Sequence, residues 1–186
     1  MITEKNTLKS EMVYSDDKKK RYSLYLEWQK QPKKAMIIMV GAGNTNGVVF
    51  DHTTNFVVDN FSRLDYGAVR IVNLFAAIGN GKIIIEKDDD AENLDYIKKA
   101  IEDAEIVVYA VGTGHINNKS FIKRQSQVLE ILKEYEDKVY CLADWSGKKF
   151  YHPLCPKVRN WNLQRFEIKE LLQENEKELQ NKVSDV

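Results

Sequence analysis

The sequence has no excess of charge of either sign. Its 28 Lys and Arg residues balance 28 Asp and Glu residues, so the formal net charge at pH 7 is zero. A protein that holds nucleic acid by the charge of its whole surface is strongly cationic. The balance therefore disfavours a long duplex footprint, although a local basic patch leaves nucleic acid possible as a partner.

Cysteines and long apolar runs are also scarce. Cys141 and Cys155 are too few for a disulfide framework, and no zinc-ligand spacing surrounds them. The longest apolar runs, such as residues 35–40, are far too short to span a bilayer. The chain starts Met-Ile-Thr-Glu-Lys without the apolar segment of a secretory signal. We therefore expect a cytoplasmic protein with no membrane partner; the sequence leaves its oligomeric state open.

Several catalytic signatures are missing as well. The sequence has no nucleophile elbow around a serine, no His-x-x-x-His pair and no Cys-x-x-Cys motif. Hydrolase, metalloprotease and thiol-redox chemistry of these kinds therefore has no basis in the motifs. We predict no metal site and no cofactor.

The order of apolar segments indicates a single α/β domain. The 186 residues are 43% hydrophobic and 30% charged, as in a globular protein. We expect a polar lead-in over residues 1–21 and one domain over 22–186. Strand patterns alternate with helix patterns, which is typical of a parallel sheet covered on both faces. We predict a three-layer α/β/α sandwich with a mainly parallel sheet of four or five strands. The expected strands cover 22–28, 35–40, 68–75, 105–111 and 138–143, with a possible short strand at 82–87, and the last helix covers 163–183.

Ligands of open α/β sheets bind beyond the carboxyl ends of the strands. Four loops follow central strands here: residues 41–47, 75–81, 112–115 and 144–152. We expect any site to be built from these four loops.

The first of these loops contains Gly41, Gly43 and Asn44. Its glycines would let backbone N–H groups approach a ligand closely, although a structural turn explains them equally well. The loop is neither a P-loop nor a dinucleotide fingerprint, since the residues that complete those motifs are missing. Asp51 follows, where its carboxylate can cap a helix or act as a catalytic acid or base.

Polar residues at the later strand ends complete the candidate site. Asn73 could read the edge of a nucleobase or tie two loops together. Phe75 and Gly112 begin the loops after their strands. His152, directed by the following proline, could donate to a developing negative charge or to a phosphate, or could merely stabilise its loop.

The segment around His152 is the most basic and aromatic part of the chain near this edge. Trp145 could stack on a base, and Lys148 or Arg159 could neutralise an anionic ligand. Packing beneath a long loop would explain the same aromatic residues.

Eight short motifs follow in an order that resembles domain-of-unknown-function family 1643, over roughly residues 21–155. The motifs are Arg21–Leu24, Asp51-x-Thr53, Tyr66-Gly67, Val72–Ala76, Asn93, Tyr109–Gly114, Cys141-Leu142 and His152–Leu154. That family is similar in turn to the uracil-DNA glycosylase fold. The resemblance implies a three-layer sandwich in which a polar loop residue directs water at a sugar and a late histidine supports the departing base.

The match is uneven along the chain. His152 and Pro153 match the late motif, and Asn73 matches the Asn-Leu-Phe motif of the family. Where the family has Asn-Pro-Ser-Thr, this chain has Gly-Ala-Gly-Asn at 41–44, so the water-positioning residue is absent at its usual place. Because this loss lowers the rate of a reaction without harming binding, the departure favours a binding pocket.

The sequence therefore predicts a pocket for a small nucleotide-like or nucleobase-containing ligand at the carboxyl edge of the sheet. The alternative is an N-glycosidic bond hydrolase in which Asp51 or Asn44 activates water and His152 stabilises the leaving base. A third possibility is an interaction protein that docks through the helix at 163–183.

Overall fold

The apolar segments of the chain form the strands and helices of one mixed α/β sheet structure. In the computed structural model, residues 1–45, 47–79, 82–85, 90–115 and 117–184 are described. Within them lie seven strands: β1 (Lys9–Tyr14), β2 (Arg21–Glu27), β3 (Lys34–Ala42), β4 (Ala68–Ile78), β5 (Ile106–Tyr109), β6 (Val139–Ala143) and β7 (Asn162–Gln164). The α-helices are α1 (His52–Arg63), α2 (Ala91–Asp103), α3 (Lys119–Leu132) and α4 (Ile168–Ser184). Two 3-10 helices cover Lys133–Lys138 and Pro156–Val158.

The strands form one sheet in the order β1-β2-β4-β3-β5-β6-β7. The inner strands β4, β3, β5 and β6 are parallel, while β2 and the two edge strands pair antiparallel. The prediction of an α/β fold is confirmed, but the expected four- to five-stranded, mainly parallel sheet is wrong in size and type. The additional strands are polar segments at the edges, where one solvated side removes the need for a continuous apolar run.

Helices pack on both faces of this sheet. One core cluster joins the sheet to α2, α3 and α4 through residues such as Ile97, Phe121 and Leu172. The other joins it to α1 and to the loop before β7, with Val57, Phe61 and Trp161 as members. The apolar face of α4 is thus used in the core, as Ile168 is fully buried, which leaves less of this helix for docking a partner.

Several element boundaries differ from those expected. The lead-in over residues 1–21 contains β1, which is only half-buried and therefore gives a weak apolar signal. The last helix begins at Ile168 rather than 163, because β7 pairs with β6. Residues 82–85 form no strand, and residues 86 and 87 of that expected strand lie outside the described part of the chain. No described helix combines the length and the apolar character needed to cross a membrane.

Candidate ligand-binding site

Two clefts adjoin at the carboxyl edge of the parallel strands. Because β2 runs antiparallel to β4, its first residue, Arg21, reaches the same edge as the loops that follow β3, β5 and β6. Val40, Ile83 and His152 line both clefts. The strand topology therefore brings together residues that lie more than a hundred positions apart in sequence.

The first cleft, which we call the Asp51 cleft, has a volume of about 370 Å³. Four of the residues that the sequence singled out line it: Gly41, Gly43, Asp51 and His152. Its lining is Arg21, Met39, Val40, Gly41, Gly43, Asp51, Thr53, Thr54, Ile83, His152 and Leu154. Its ionisable residues are thus one arginine, one aspartate and one histidine.

Arg21 fixes the loop that forms one wall of this cleft. It is only 3% exposed, and its Nη1 donates to the carbonyl oxygens of Gly43 at 3.3 Å and Thr45 at 3.2 Å. Burial lowers the pKa of Arg21, and the charges of Tyr14 and Asp51 partly oppose that shift; a guanidinium nevertheless stays charged at neutral pH. The sequence analysis did not assign Arg21 to the site. An arginine that begins an otherwise apolar strand was the available signal.

Asp51 is the helix cap that the sequence allowed, and it also faces the cleft. Its Oδ1 accepts from the backbone N–H of Thr54 at 2.7 Å. Burial tends to raise the pKa of Asp51, but that bond, the hydroxyls of Thr45 and Thr54 and the charge of Arg21 together lower it. A β-carbon added at Gly43 would lie 3.0 Å from Oδ2. Asp51 is therefore an ionised acceptor held against the glycine loop.

Asn73 is hydrogen-bonded to Gly41, the first residue of the glycine-containing loop. It is 1% exposed, and its Nδ2 donates to the carbonyl oxygen of Gly41 at 2.8 Å. The backbone carbonyls of Asn73 and Leu74 in turn accept from Asn93 Nδ2 at 3.0 Å each. These contacts favour the interpretation of Asn73 as a tie between two loops over that of a residue that reads a nucleobase.

The second cleft, which we call the Gly112 cleft, has a volume of about 470 Å³. Gly112 has a φ of 70°, which glycine adopts without strain, and its Cα faces the backbone of His152. Aromatic and small residues dominate the lining, which consists of Val40, Ile83, Val111–His115, Phe150–His152 and Cys155. The Gly112 cleft thus presents mainly aromatic and small residues to a ligand.

His152 is the side chain that both clefts share. Its Nδ1 accepts from the backbone N–H of Leu154 at 3.2 Å. Burial lowers the pKa of His152 below its ordinary value of 6.5, and the charge of Asp51 opposes this shift. The imidazole is therefore neutral at pH 7, and since Nδ1 is an acceptor, the proton lies on Nε2. His152 can offer that N–H to a ligand.

Four other predicted site residues, Asn44, Phe75, Trp145 and Lys148, do not line either cleft. Phe75 is 1% exposed and packs in the core, whereas Asn44 is exposed next to Gly43. Trp145 is 85% exposed and Lys148 is also exposed; neither is among the described residues that line the two clefts.

Arg159 is exposed and lines neither of the two clefts. Its carbonyl oxygen accepts from Arg63 Nη2 at 3.5 Å, and Arg63 is the last residue of α1. Three residues later, Asn162 pairs with Ala143 at the carboxyl end of β6. The assignment of Arg159 to a ligand stays a prediction.

Metal-ligating residues are not grouped at this edge. Among the described ranges, no three His, Cys, Asp or Glu side chains are arranged to hold a metal ion. The ionisable side chains that line the Asp51 cleft are those of Arg21, Asp51 and His152.

The chain belongs to the family described as "Protein of unknown function (DUF1643)", whose model matches residues 21–154. This range contains Arg21, Asp51 and His152 and ends just before Cys155. No curated protein matches the chain. The resemblance to this family is therefore confirmed, and the match spans both clefts.

Proposed function

We propose that this member of the DUF1643 family binds a small nucleobase-containing ligand across the Asp51 and Gly112 clefts. The observation that carries the proposal is that an ionised Asp51 and a neutral His152 line one cleft whose wall is held by the buried Arg21. The two side chains offer a charged acceptor and an uncharged donor. Nucleobases and sugars carry complementary donors and acceptors.

The charge of the site favours the nucleoside part of such a ligand. Arg21 and Asp51 balance each other, and the neutral imidazole adds no charge. Lys148 and Arg159, the basic residues expected to meet a phosphate, lie outside the lining of both clefts. A phosphate group would therefore extend away from the clefts, and its removal should weaken binding only slightly.

The Gly112 cleft supplies the surface for a flat ring. Phe150 and Tyr151 line it, and Tyr151 is fixed because its hydroxyl donates to Asp144 Oδ2 at 2.7 Å. Base–aromatic stacking contributes about 1–3 kcal/mol per base in single-strand binding proteins. Helices on both faces and the His152-Pro153 motif also support a uracil-DNA glycosylase-like fold, which we include in the proposal.

Calorimetry with a panel of nucleosides and their 5′-monophosphates tests this function. We expect at least one nucleoside to bind, with His152→Ala weakening it about tenfold or more because the donor shared by both clefts is lost. Arg159→Ala is the matched control: it removes an exposed cation that the sequence placed in the site but that lines neither cleft, so binding should not change.

Two results would contradict the proposal. One is the absence of heat with every member of the panel. The other is equal affinity of the wild type and the His152→Ala variant, since His152 lines both clefts. A loss of binding in Arg159→Ala would show that the ligand occupies a different surface.

One observation also favours hydrolysis of an N-glycosidic bond. Asp51 and His152 line the same cleft, so Asp51 could orient water toward a sugar carbon while His152 Nε2–H stabilises the departing base. The lowered pKa of Asp51 makes it a weak base, however, and its Oδ1 is engaged as a helix cap. Incubation with nucleosides and with modified-base oligonucleotides decides: free base or abasic product that disappears in Asp51→Asn supports catalysis.

A further inference from the structure

A third cleft, which we call the interhelical cleft, opens between α3 and α4. Its volume is about 510 Å³, within the range of small-molecule sites. It shares Val111, Gly112, Thr113 and Phe150 with the Gly112 cleft, but Arg21, Asp51 and His152 do not line it. The other lining residues are Tyr109, Asn117, Gln125, Leu171, Glu174, Asn175, Lys177, Glu178 and Asn181.

In one amide side chain that lines this cleft, Gln125, only the nitrogen is hydrogen-bonded to a residue that the structure describes. Gln125 is 95% buried, since its exposed fraction is 5%, and its Nε2 donates to the hydroxyl of the fully buried Tyr109 at 2.8 Å. Within the part of the chain that the structure describes, the Oε1 atom of Gln125 has no hydrogen-bond donor. This oxygen is not among the fully buried atoms that lack a partner, so it is open to the solvent of the cleft. A ligand N–H in the cleft would pair with it in place of water.

The walls around this amide are apolar, and the rim is mixed in charge. Phe150 packs edge-on against both Tyr109 and Phe166, with ring centroids 6.4 Å and 5.0 Å apart. Leu171 also lines the cleft. The exposed rim bears Glu174, Lys177 and Glu178, an excess of one negative charge that disfavours anionic ligands.

The backbone of Phe150 is held in an unusual conformation. Its φ is 64°, which a bulky L-residue rarely adopts. Such conformations persist where the surrounding structure determines them, and they cluster at ligand sites. Here the conformation places one aromatic ring in the wall between the interhelical cleft and the Gly112 cleft.

We propose that the interhelical cleft is a second ligand site, separate from the nucleobase site, for an uncharged planar ring that bears an N–H group. The ring lies between Phe150 and Leu171, and its N–H donates to Gln125 Oε1. Lactams, imides and the amide edges of heterocycles belong to this class.

Calorimetry with isoquinolinone and its N-methyl derivative tests the assignment on the full chain. The two probes share the same ring and carbonyl, but the second lacks the donor. We expect isoquinolinone to bind about five- to tenfold more tightly, the usual effect of one hydrogen bond. Gln125→Met, which keeps the length of the side chain, should remove the difference between the probes.

Two further variants keep the test decisive if Gln125→Met perturbs the fold. Leu171→Trp fills the cleft from a half-buried helix position and should abolish binding of isoquinolinone. His152→Ala leaves this cleft intact, so isoquinolinone should bind it as it binds the wild type. Equal affinity of the two probes, binding that survives Leu171→Trp, or binding that is lost in His152→Ala would each overturn the proposal.

Discussion

The Asp51 cleft and the loop over residues 144–161 relate sequence to space in opposite ways. The cleft gathers Arg21, Gly43 and Asp51 from separate elements: Arg21 Nη1 donates to the carbonyl oxygens of Gly43 and Thr45, and Asp51 accepts from the backbone N–H of Thr54. The loop is continuous in sequence, yet only part of it, residues 150–152, 154 and 155, lines the two clefts. Trp161 at its other end instead donates its backbone N–H to Asn60 of α1. Proximity within that loop therefore does not by itself place two residues in one site.

This difference shows which sequence signal locates a site. Clustered charge around residues 145–165 suggested an anion pocket, but most of those side chains are solvated or bind carbonyl oxygens elsewhere. Lys149 Nζ, for example, donates to the carbonyl of Arg165 at 2.7 Å. A charge placed in an apolar strand is more informative, because its burial requires partners. Arg21 is such a charge.

The largest loss of stability is expected from Arg21→Met, at the wall of the Asp51 cleft. The change keeps an apolar stem but leaves the carbonyl oxygens of Gly43 and Thr45 without their buried donor. Leaving such groups unpaired costs about 1–3 kcal/mol each, so we expect the free energy of unfolding to fall by about 3 kcal/mol in urea denaturation. Ligand binding should fall as well.

Arg159→Met is the matched control for that comparison. Its side chain is exposed and lines neither cleft, and substitutions of this kind usually change stability by less than about 0.5 kcal/mol. Similar losses in the two variants would mean that Arg21 does not hold the loop as its contacts indicate.

The sequence was sufficient for the interior of the fold and for part of the site. The four inner strands could be predicted because each is largely apolar, as in Met36–Val40. The cap by Asp51 and the edge location of His152 followed from local rules and from the parallel topology. Such features depend on residues near one another in the chain.

The edge strands and the partners of several site residues depend on contacts between distant parts of the chain, which no local sequence pattern reveals. β1 and β7 are short, polar edge strands that exist because a neighbour offers an unpaired edge. Arg159 is absent from the lining of both clefts, and its loop contacts the end of α1 instead. The partners of Asn73 depend on how two strands and α2 are aligned. Each of these is a tertiary property of pairs that are far apart in sequence.

The variants Gly112→Ala and Gly147→Ala compare the backbone of the Gly112 cleft with that of the loop over residues 144–161. Both glycines have positive φ values, 70° and 84°, so alanine should cost about 1 kcal/mol at either position. A β-carbon at Gly112 would meet His152 at 3.4 Å, whereas one at Gly147 would meet nothing within 4 Å. We therefore expect equal losses in urea denaturation, but weaker nucleoside binding only in Gly112→Ala. Weaker binding in both variants would show that the Asp144 turn also contacts the ligand.

Asp51 allows the structural and electrostatic roles of one residue to be separated. Asp51→Ala should reduce stability by about 1 kcal/mol, because the cap of α1 is lost. Asp51→Asn retains an N-cap oxygen and should cost less, yet it should weaken nucleoside binding as strongly as alanine does if the ligand needs the charge. Thermal denaturation and calorimetry measure the two effects, and full binding by Asp51→Asn would assign the residue to the cap alone.

The smallest expected effect is the pH dependence that His152 gives to stability. Because burial lowers its pKa below 6.5, the unfolded chain takes up this proton at a higher pH than the folded protein does. Stability from this group is therefore fully present above about pH 6.5 and declines as the pH falls toward the folded pKa. The difference in free energy of unfolding between the wild type and His152→Ala should shrink over that interval. Asp51→Asn should steepen the decline, since the charge of Asp51 raises the pKa of His152. If Asp51→Asn leaves the pH dependence of stability unchanged, Asp51 and His152 do not interact across the cleft. The residues of the Asp51 cleft would then act independently of one another, as those of the loop do.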